Sequence, residues 1–152
     1  MAQRVRGTVT IRAPIEDVFA FFDDPRRAAE LEPGTAEVEA VEPLPNGGHR
    51  VRTRMRGRGG RLCEAVTEDI ERVPFERSVT RTEMDGVRMT NTRRFSPTAD
   101  GTRLDLEIEY SVHLPWPQKV FVPVIEFQWR RPSRRNIRRA LARVKEMLEA
   151  RR

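Results

Sequence analysis

The chain has 152 residues, with 29 lysines and arginines against 23 aspartates and glutamates, and a formal net charge of +6. This length is typical of one domain with a sizeable core, so we expect residues 1–152 to form a single domain. No run is long and apolar enough to cross a membrane, and the polar N-terminus is unlike a secretory signal peptide. The only cysteine, Cys63, excludes an internal disulfide. Together these features predict a cytoplasmic protein.

The positive charge raises the question of a nucleic-acid partner. Lys119 and Lys145 are the only lysines, so nearly all of this charge is arginine. Aromatic residues that could stack on bases are sparse among the arginines in the middle of the chain. We therefore expect no nucleic-acid partner.

The hydrophobic pattern begins with a strand and two short helices. Residues 3–12 alternate between apolar and polar side chains, as in a strand with one face in water. A helix is predicted over residues 14–23, because Pro14 suits the first helical position. Its apolar stripe consists of Ile15, Val18, Phe19 and Phe22. A second short helix is predicted near residues 26–31.

Six further strands and a long helix follow. The strands are predicted at about residues 35–42, 49–58, 61–72, 75–83, 87–96 and 102–113. The residues that share one face of the last strand are Leu104, Leu106, Ile108, Tyr110 and Val112. The C-terminal helix has an apolar spine of Ile137, Leu141, Val144 and Leu148.

Several short motifs occur along the chain in an order that is found in a known protein family. Ala13-Pro14 is followed by Glu16, Val18 and Phe19, and Asp24-Pro25 ends the first helix. VTEDIERVPFERSV at 66–79 and DGTRLDLEIEY at 100–110 precede the terminal helix. This order and spacing resemble the START-like, or Bet v 1-like, superfamily, and most of all its bacterial polyketide cyclase/dehydrase and lipid-transport branch.

The resemblance implies an α+β helix-grip fold. In that fold a curved, seven-stranded antiparallel sheet wraps around the long C-terminal helix, with a cavity between them. The helix that carries Phe19 and Phe22 would close one end of the sheet and line the cavity mouth. The implied ligands are lipids, polyketides, quinones or similar compounds.

Strand pairing predicts which side chains point into that cavity. A two-residue turn at Gly59-Gly60 would place Glu64 opposite Met55 and Glu68 opposite Val51, and facing residues share a side of the sheet. A turn at Val73-Pro74 and a three-residue loop at 84–86 extend the inward set along the next strands. The predicted ligand-binding residues are Phe19, Phe22, Val51, Thr53, Met55, Glu64, Val66, Glu68, Arg77, Val79, Arg81, Met89, Asn91, Arg93, Leu106, Ile108 and Tyr110.

The alternative is a different register. A slip of one residue turns a strand over. Glu64 and Glu68 would then lie in solvent, with Cys63, Ala65 and Thr67 inside.

Two functions fit an interior of apolar walls with carboxylates and guanidinium groups. The first is binding or transport of a small hydrophobic or amphipathic molecule. The second is a polyketide cyclase or dehydratase, with catalytic candidates Glu64 and Glu68 as bases and Arg77, Arg81 or Arg93 stabilising an enolate. A cavity carboxylate whose pKa is raised by burial would favour the enzyme, and a fully paired network would favour the carrier.

Other motifs are weaker. His49 and His113 lack a partner at metal-ligand spacing, so we expect no metal, and we expect no cofactor. The arginines at alternate positions of residues 50–58 are expected on a solvated face, paired with Glu37 and Glu39. The aromatic residues that stand beside a basic tract before the last helix are Trp116, Phe121, Phe127 and Trp129. These aromatics are expected either to contact a membrane surface transiently, or to close the cavity or pack under the sheet.

Overall fold

A computed structural model describes residues 2–29, 37–56, 62–84, 86–112 and 122–150. Its elements, in chain order, are β1 (Ala2–Ile11), α1 (Ile15–Asp23), α2 (Pro25–Ala29), β2 (Glu37–Pro43), β3 (His49–Arg56), β4 (Leu62–Val73), β5 (Arg77–Met84), β6 (Val87–Pro97), β7 (Thr102–Val112) and α3 (Val122–Glu149).

The strands form one antiparallel sheet in the order β1-β7-β6-β5-β4-β3-β2. Each strand from β2 to β7 pairs with its neighbour in sequence, and β1 joins the sheet beside β7. The predicted seven-stranded antiparallel sheet, with two short helices after its first strand and a helix at the C-terminus, is confirmed. This is the helix-grip arrangement.

Helix α3 packs against β1 and β7. Its predicted spine of Ile137, Leu141, Val144 and Leu148 is buried in one core cluster with Val5, Leu104 and Tyr110. Gly7 allows the close approach, because a Cβ added there would lie 2.7 Å from Leu141 Cδ1. The core therefore lies mainly between α3 and the β1–β7 side of the sheet.

Helix α1 forms where Pro14 occupies the N-cap and Glu16 and Asp17 lie in the first turn, where negative charge is favourable. Val18 and Phe19 are buried as the stripe predicts, but Phe21 is buried as well. Phe21 lies under the Arg27 guanidinium, whose carbon is 5.2 Å from the ring centroid. Packing from α2 thus covers a face of α1 outside the predicted stripe.

The β3–β4 register differs by one residue from the predicted one. Glu64 pairs with Arg54, and Glu68 pairs with Arg50. The prediction that Glu64 and Glu68 point inward is therefore wrong, and the alternative register is the observed one. Its physical advantage is that both carboxylates stay on the outer face: Arg50 Nε donates to Glu68 Oε1 at 2.9 Å. A buried set of four charges is avoided.

The β4–β5 register also differs. Arg81 lies opposite Glu68, on the outer face, and the same alternation turns Arg77 and Val79 outward. The cause is local: the turn spans Pro74 to Glu76, with Phe75 at φ 65°, and a β-bulge separates Asp69 from Glu71. Val66, opposite Glu83, turns outward with the same register.

The β5–β6 connection is shorter than predicted, because Met84 already pairs with Val87. The inward side of β6 agrees with the prediction. Val87 and Phe95 are buried, and Asn91 and Arg93 line the interior described below.

The outer face of β2 to β4 carries a ladder of ion pairs. Arg54 Nη2 lies 2.9 Å from Glu39 Oε1, and Arg52 Nε lies 3.4 Å from Glu64 Oε1. The expected pairing of this arginine face with β2 carboxylates is confirmed for Glu39. The four aromatics before the C-terminal spine (Trp116, Phe121, Phe127 and Trp129) lie outside the residues whose side chains are described.

Candidate functional site

A cavity of about 120 Å³ lies between the inner face of strands β3 to β6 and the region where α1 meets α2. Its lining residues are Phe22, Asp23, Pro25, Ala28, His49, Val51, Thr53, Thr67, Asp69, Thr80, Thr82, Met84, Val87, Met89, Asn91 and Arg93. The predicted cavity lay beneath the long helix. Among the side chains described for α3, none lines this space.

The sheet wall of the cavity mixes hydroxyl and apolar groups. Thr67 Oγ1 and Thr82 Oγ1 are hydrogen-bonded across β4 and β5 at 2.8 Å. Thr53 and Thr80 are buried in the same wall. The apolar part of the wall is made by Val51, Met84, Val87 and Met89. Such a wall suits a ligand with both apolar and polar parts.

Asp69 supplies a carboxylate to the lining. Its Oδ2 accepts a hydrogen bond from the His49 backbone N–H at 2.7 Å and lies 3.8 Å from His49 Nδ1. Burial raises the pKa of the Asp69 carboxyl above its usual 3.8, although the His49 N–H and the Arg93 charge partly oppose the rise. Asp69 is thus a carboxylate in the lining for which the neutral form is favoured by burial.

The loop before β3 is built around Asp69. Asn46 Nδ2 donates to the Asp69 carbonyl at 2.8 Å, and the Gly48 N–H donates to Asn46 Oδ1 at 2.8 Å. A Cβ at Gly48 would lie 2.4 Å from the Asp69 Cβ. Glycine at this position therefore lets the Asp69 side chain sit against the loop.

A second acid–base pair joins α1 to β4. Arg72 Nε and Nη2 donate to the two carboxylate oxygens of Asp23 at 2.7 and 2.9 Å. The Arg72 guanidinium also lies 5.4 Å from the Phe19 ring centroid. The hydrogen bond to Asp23 raises the pKa of Arg72 still further, so Arg72 stays charged. The bulge between Asp69 and Glu71 is what gives Arg72 and Asp69 the same face of β4.

Arg93 belongs to the part of the lining that β6 contributes, and it contacts Phe22 of α1. Its guanidinium carbon is 4.8 Å from the centroid of the Phe22 ring, which is a cation–π distance. Its charge lowers the pKa of Asp69. Arg93 therefore links the α1 side of the cavity to the Asp69 carboxylate.

The structure brings part of the predicted site together. The predicted residues that line the cavity are Phe22, Val51, Thr53, Met89, Asn91 and Arg93. Phe19 and Tyr110 belong to the core cluster, Leu106 and Ile108 pack against that cluster, and none of the four lines the cavity. Glu64, Val66, Glu68, Arg77, Val79 and Arg81 are on the outer face, and the side chain of Met55 lies outside the described set.

Sequence reasoning missed the most polar part of the lining. His49 could have been found, because it alternates in phase with Val51 and Thr53 on the same strand. Asp69 and Thr67 were hidden by the one-residue error in the register of β4. Thr80 and Thr82 were hidden by the corresponding error in β5.

Two further observations bear on the site. Among the described residues, no group of three or more histidine, cysteine, aspartate or glutamate side chains is placed to hold a metal ion. No helix in the described part of the chain has both the length and the apolar character needed to span a membrane.

Residues 2–149 match the family model described as "Polyketide cyclase / dehydrase and lipid transport". The chain belongs to this family. Its resemblance to the polyketide cyclase/dehydrase and lipid-transport branch is thereby confirmed. At the family level, the polyketide cyclase/dehydrase and lipid-transport proteins bind small hydrophobic ligands. A search of curated proteins gives no significant match.

Solved structures share the fold over nearly the whole chain. StfQ, a di-domain ARO/CYC protein from the steffimycin biosynthetic pathway, has a TM-score of 0.76 at 16% identity, with 99% of this chain and 52% of that chain covered. BexL, a di-domain ARO/CYC protein from the BE-7585A biosynthetic pathway, has a TM-score of 0.68 at 23% identity, with 97% and 50% covered. TTHA0849 from Thermus thermophilus has a TM-score of 0.68 at 23% identity, with 97% and 98% covered. The chain thus spans about half of each di-domain protein, and these low identities show the fold alone.

Proposed function

We propose that residues 1–152 form one domain that binds or transports a small hydrophobic or amphipathic molecule in the cavity between α1, α2 and strands β3 to β6. The observation that carries this proposal is the lining itself, in which Val51, Met84 and Met89 stand beside threonine hydroxyls and Asp69. Family membership supports the same class of function. Lipids, polyketides and quinones are the compound classes to test.

The cavity volume bounds what can be enclosed. At about 120 Å³ it is slightly smaller than an engineered cavity of about 150 Å³ that takes up benzene. One ring of a ligand would therefore fill it. A longer molecule would extend from the cavity past α2 or require α1 and α2 to move outward.

The experiment is native mass spectrometry of the protein purified from its own host, followed by denaturing extraction of any bound compound. Thr80→Phe would fill the cavity from the buried face of β5, and Thr92→Phe adds the same ring on the opposite face of β6. We expect a bound compound in the wild type and in Thr92→Phe, and its loss in Thr80→Phe.

An empty wild-type protein that also fails to bind a panel of lipids, quinones and polyketides would refute the proposal. If Thr80→Phe and Thr92→Phe retain the bound compound equally, the compound binds somewhere other than this cavity. Circular dichroism of each variant checks that the fold is intact before binding is compared.

A second candidate, a polyketide cyclase or dehydratase, is favoured by one observation. Asp69 is a carboxyl group in the lining whose pKa is raised by burial, and a raised pKa makes a carboxylate a stronger general base. In this reaction Asp69 would take the proton from the carbon beside a ligand carbonyl, and Arg93 would stabilise the enolate oxygen. The enolate carbon would bond to a second carbonyl carbon in the same chain, whose oxygen then takes up a proton. Loss of that hydroxyl as water, with a second proton from the adjacent carbon, would complete a dehydration.

Asp69→Asn separates the two functions, because it keeps the shape of the site and an acceptor for the His49 N–H. A carrier would retain the co-purifying compound and its mass in this variant. An enzyme would bind the compound but no longer convert it, so the ring-closed or dehydrated product seen with wild type would be missing.

A further inference from the structure

The ligand chemistry of the cavity follows from its unpaired acceptors. Asn91 Oδ1 is buried in the lining and has no hydrogen-bond partner. His49 Nδ1 is also buried without a hydrogen bond, since 3.8 Å to Asp69 Oδ2 is too long, but an imidazole nitrogen can donate or accept, so Asn91 Oδ1 is the atom that calls for a donor. Buried acceptors without donors are costly, and a donor from a ligand would remove that cost.

The lining already contains carboxyl groups of its own. Among the described residues, the ionisable side chains in the lining are Asp23, His49, Asp69 and Arg93. Asp23 accepts two hydrogen bonds from Arg72, and Asp69 lies within the electrostatic influence of Arg93. A ligand carboxylate would therefore add a third carboxyl group to a lining whose one guanidinium already interacts with Asp69.

The threonine hydroxyl groups of the cavity wall do not discriminate between ligands that donate and ligands that accept hydrogen bonds. A threonine hydroxyl can donate or accept a hydrogen bond. Thr67 and Thr82 are also bonded to each other. Selection therefore rests with the Asn91 acceptor and with the Asp69 carboxyl beside Arg93.

We propose that the cavity selects an uncharged ligand with a hydroxyl group, whose O–H donates to Asn91 Oδ1, over a ligand that carries a carboxylate. This inference rests on the proposed binding function and specifies the chemistry that the same site accepts. Because the cavity holds about one ring, a phenol is the smallest ligand that meets both requirements. A fatty-acid anion would leave Asn91 Oδ1 unpaired and would have to share the charge of Arg93 with Asp69.

The test uses three single-ring probes on the full chain: resorcinol, which has two hydroxyl donors, 1,3-dimethoxybenzene, which has none, and benzoate, which is an anion. Binding is followed by NMR titration of the cavity threonines, Thr53, Thr67, Thr80 and Thr82. We expect resorcinol to bind about tenfold more tightly than either of the other two, which is the effect of one well-placed hydrogen bond to a buried acceptor.

Asn91→Leu removes the acceptor at nearly constant size, and Thr92→Val on the outer face of the same strand is the matched control. We expect Asn91→Leu to abolish the preference for resorcinol over dimethoxybenzene, and Thr92→Val to keep it. An unchanged preference in Asn91→Leu would overturn the assignment. If Asn91→Leu does not fold, the comparison of probes on the wild type still decides.

Two failures are distinguishable. Benzoate or dimethoxybenzene binding as tightly as resorcinol to the wild type would overturn the inference and leave the binding function standing. A co-purified compound that is a carboxylate without a hydroxyl group would do the same. If no probe shifts the cavity threonines and no compound co-purifies, both the inference and the proposed function fall.

Discussion

Replacing Gly7 with alanine would place a methyl group between β1 and α3. The added Cβ would lie 2.7 Å from Leu141 Cδ1, with Ile137 Cγ1 and Cδ1 at 3.5 and 3.6 Å. Carbon atoms prefer a separation of about 3.5–4.0 Å, so Leu141 would have to move by about 1 Å. Leu141 is only 5% exposed and has little room for this movement.

The expected cost follows from these distances. Overpacking a core costs about 1–3 kcal/mol, while the stiffer unfolded chain of the alanine variant returns about 0.4–1 kcal/mol. We therefore expect Gly7→Ala to lower the free energy of unfolding by about 1–2 kcal/mol. For a chain of this length the melting temperature should fall by about 2–8 °C.

A double-mutant cycle is the assay. Leu141→Ala alone removes a buried side chain and should cost about 2–5 kcal/mol, but it also makes room for the new methyl group. Gly7→Ala in the Leu141→Ala background should then cost less than in the wild type, with a coupling of at least about 0.5 kcal/mol by urea unfolding. Additive costs, or a Gly7→Ala variant as stable as wild type, would refute the close packing of α3 on β1.

Three further predictions concern the site and the sheet around it. Burial raises the pKa of the Asp69 carboxyl in the folded state above its unfolded value of 3.8, so the folded protein favours the protonated carboxyl. The protonated carboxyl therefore stabilises the fold below pH 3.8, and this stabilisation is lost as the pH rises through the folded pKa. Asparagine at this position does not ionise. The free energy of unfolding of Asp69→Asn should therefore rise relative to that of the wild type between about pH 3 and about pH 7, as measured by urea unfolding. A difference that stays constant with pH would contradict the raised pKa of Asp69. Arg72→Met should lower the free energy of unfolding by about 1.5–3 kcal/mol, because the half-buried charged hydrogen bonds to Asp23 are lost. Arg52→Met, on the outer face, should lower it by less than about 1 kcal/mol. Equal losses in the two variants would contradict a stabilising link between α1 and β4. Glu64→Gln should leave the amount of co-purified ligand unchanged in native mass spectra, because Glu64 lies on the outer face. Loss of the ligand in this variant would instead indicate that Glu64 points into the cavity.

The parts of the fold that sequence could predict are those with a clean period. Alternation in β7 and the helical spine of Ile137, Leu141, Val144 and Leu148 each give one apolar face. The helical spine is buried, and the face of β7 is buried or partly buried. Family resemblance supplied the curved seven-stranded antiparallel sheet and the helix-grip arrangement. These features depend on the pattern within one element and tolerate errors in the turns.

The cavity depended on the turns, and there prediction failed. In β4 both faces carry polar and apolar residues, so the pattern within the strand does not choose a register. Cross-strand ion pairs do choose it, because they hold Glu64 and Glu68 outside against arginines of β3. The bulge at Ile70 has no clear signal in the sequence, and it decides that Asp69 and Arg72 share a face. Strand β6, whose inward residues include Asn91 and Arg93, was predicted on the correct side because two errors cancel: the face of β5 was inverted, and the loop between β5 and β6 is one residue shorter than predicted, since Met84 pairs with Val87.

The pairing of β1 with β7 has a consequence for the order of folding. Strands β2 to β7 form successive hairpins, so each can pair soon after its neighbour is made. Val5 pairs with Ile108, about a hundred residues later in the chain. Closing so long a loop costs more conformational entropy than forming a hairpin, so this contact should form later than the hairpins. We therefore expect β1 to join the sheet only after β7 and α3 have formed. In a refolding experiment with pulsed hydrogen exchange, the amides of β1 should gain protection after those of β4 and β5.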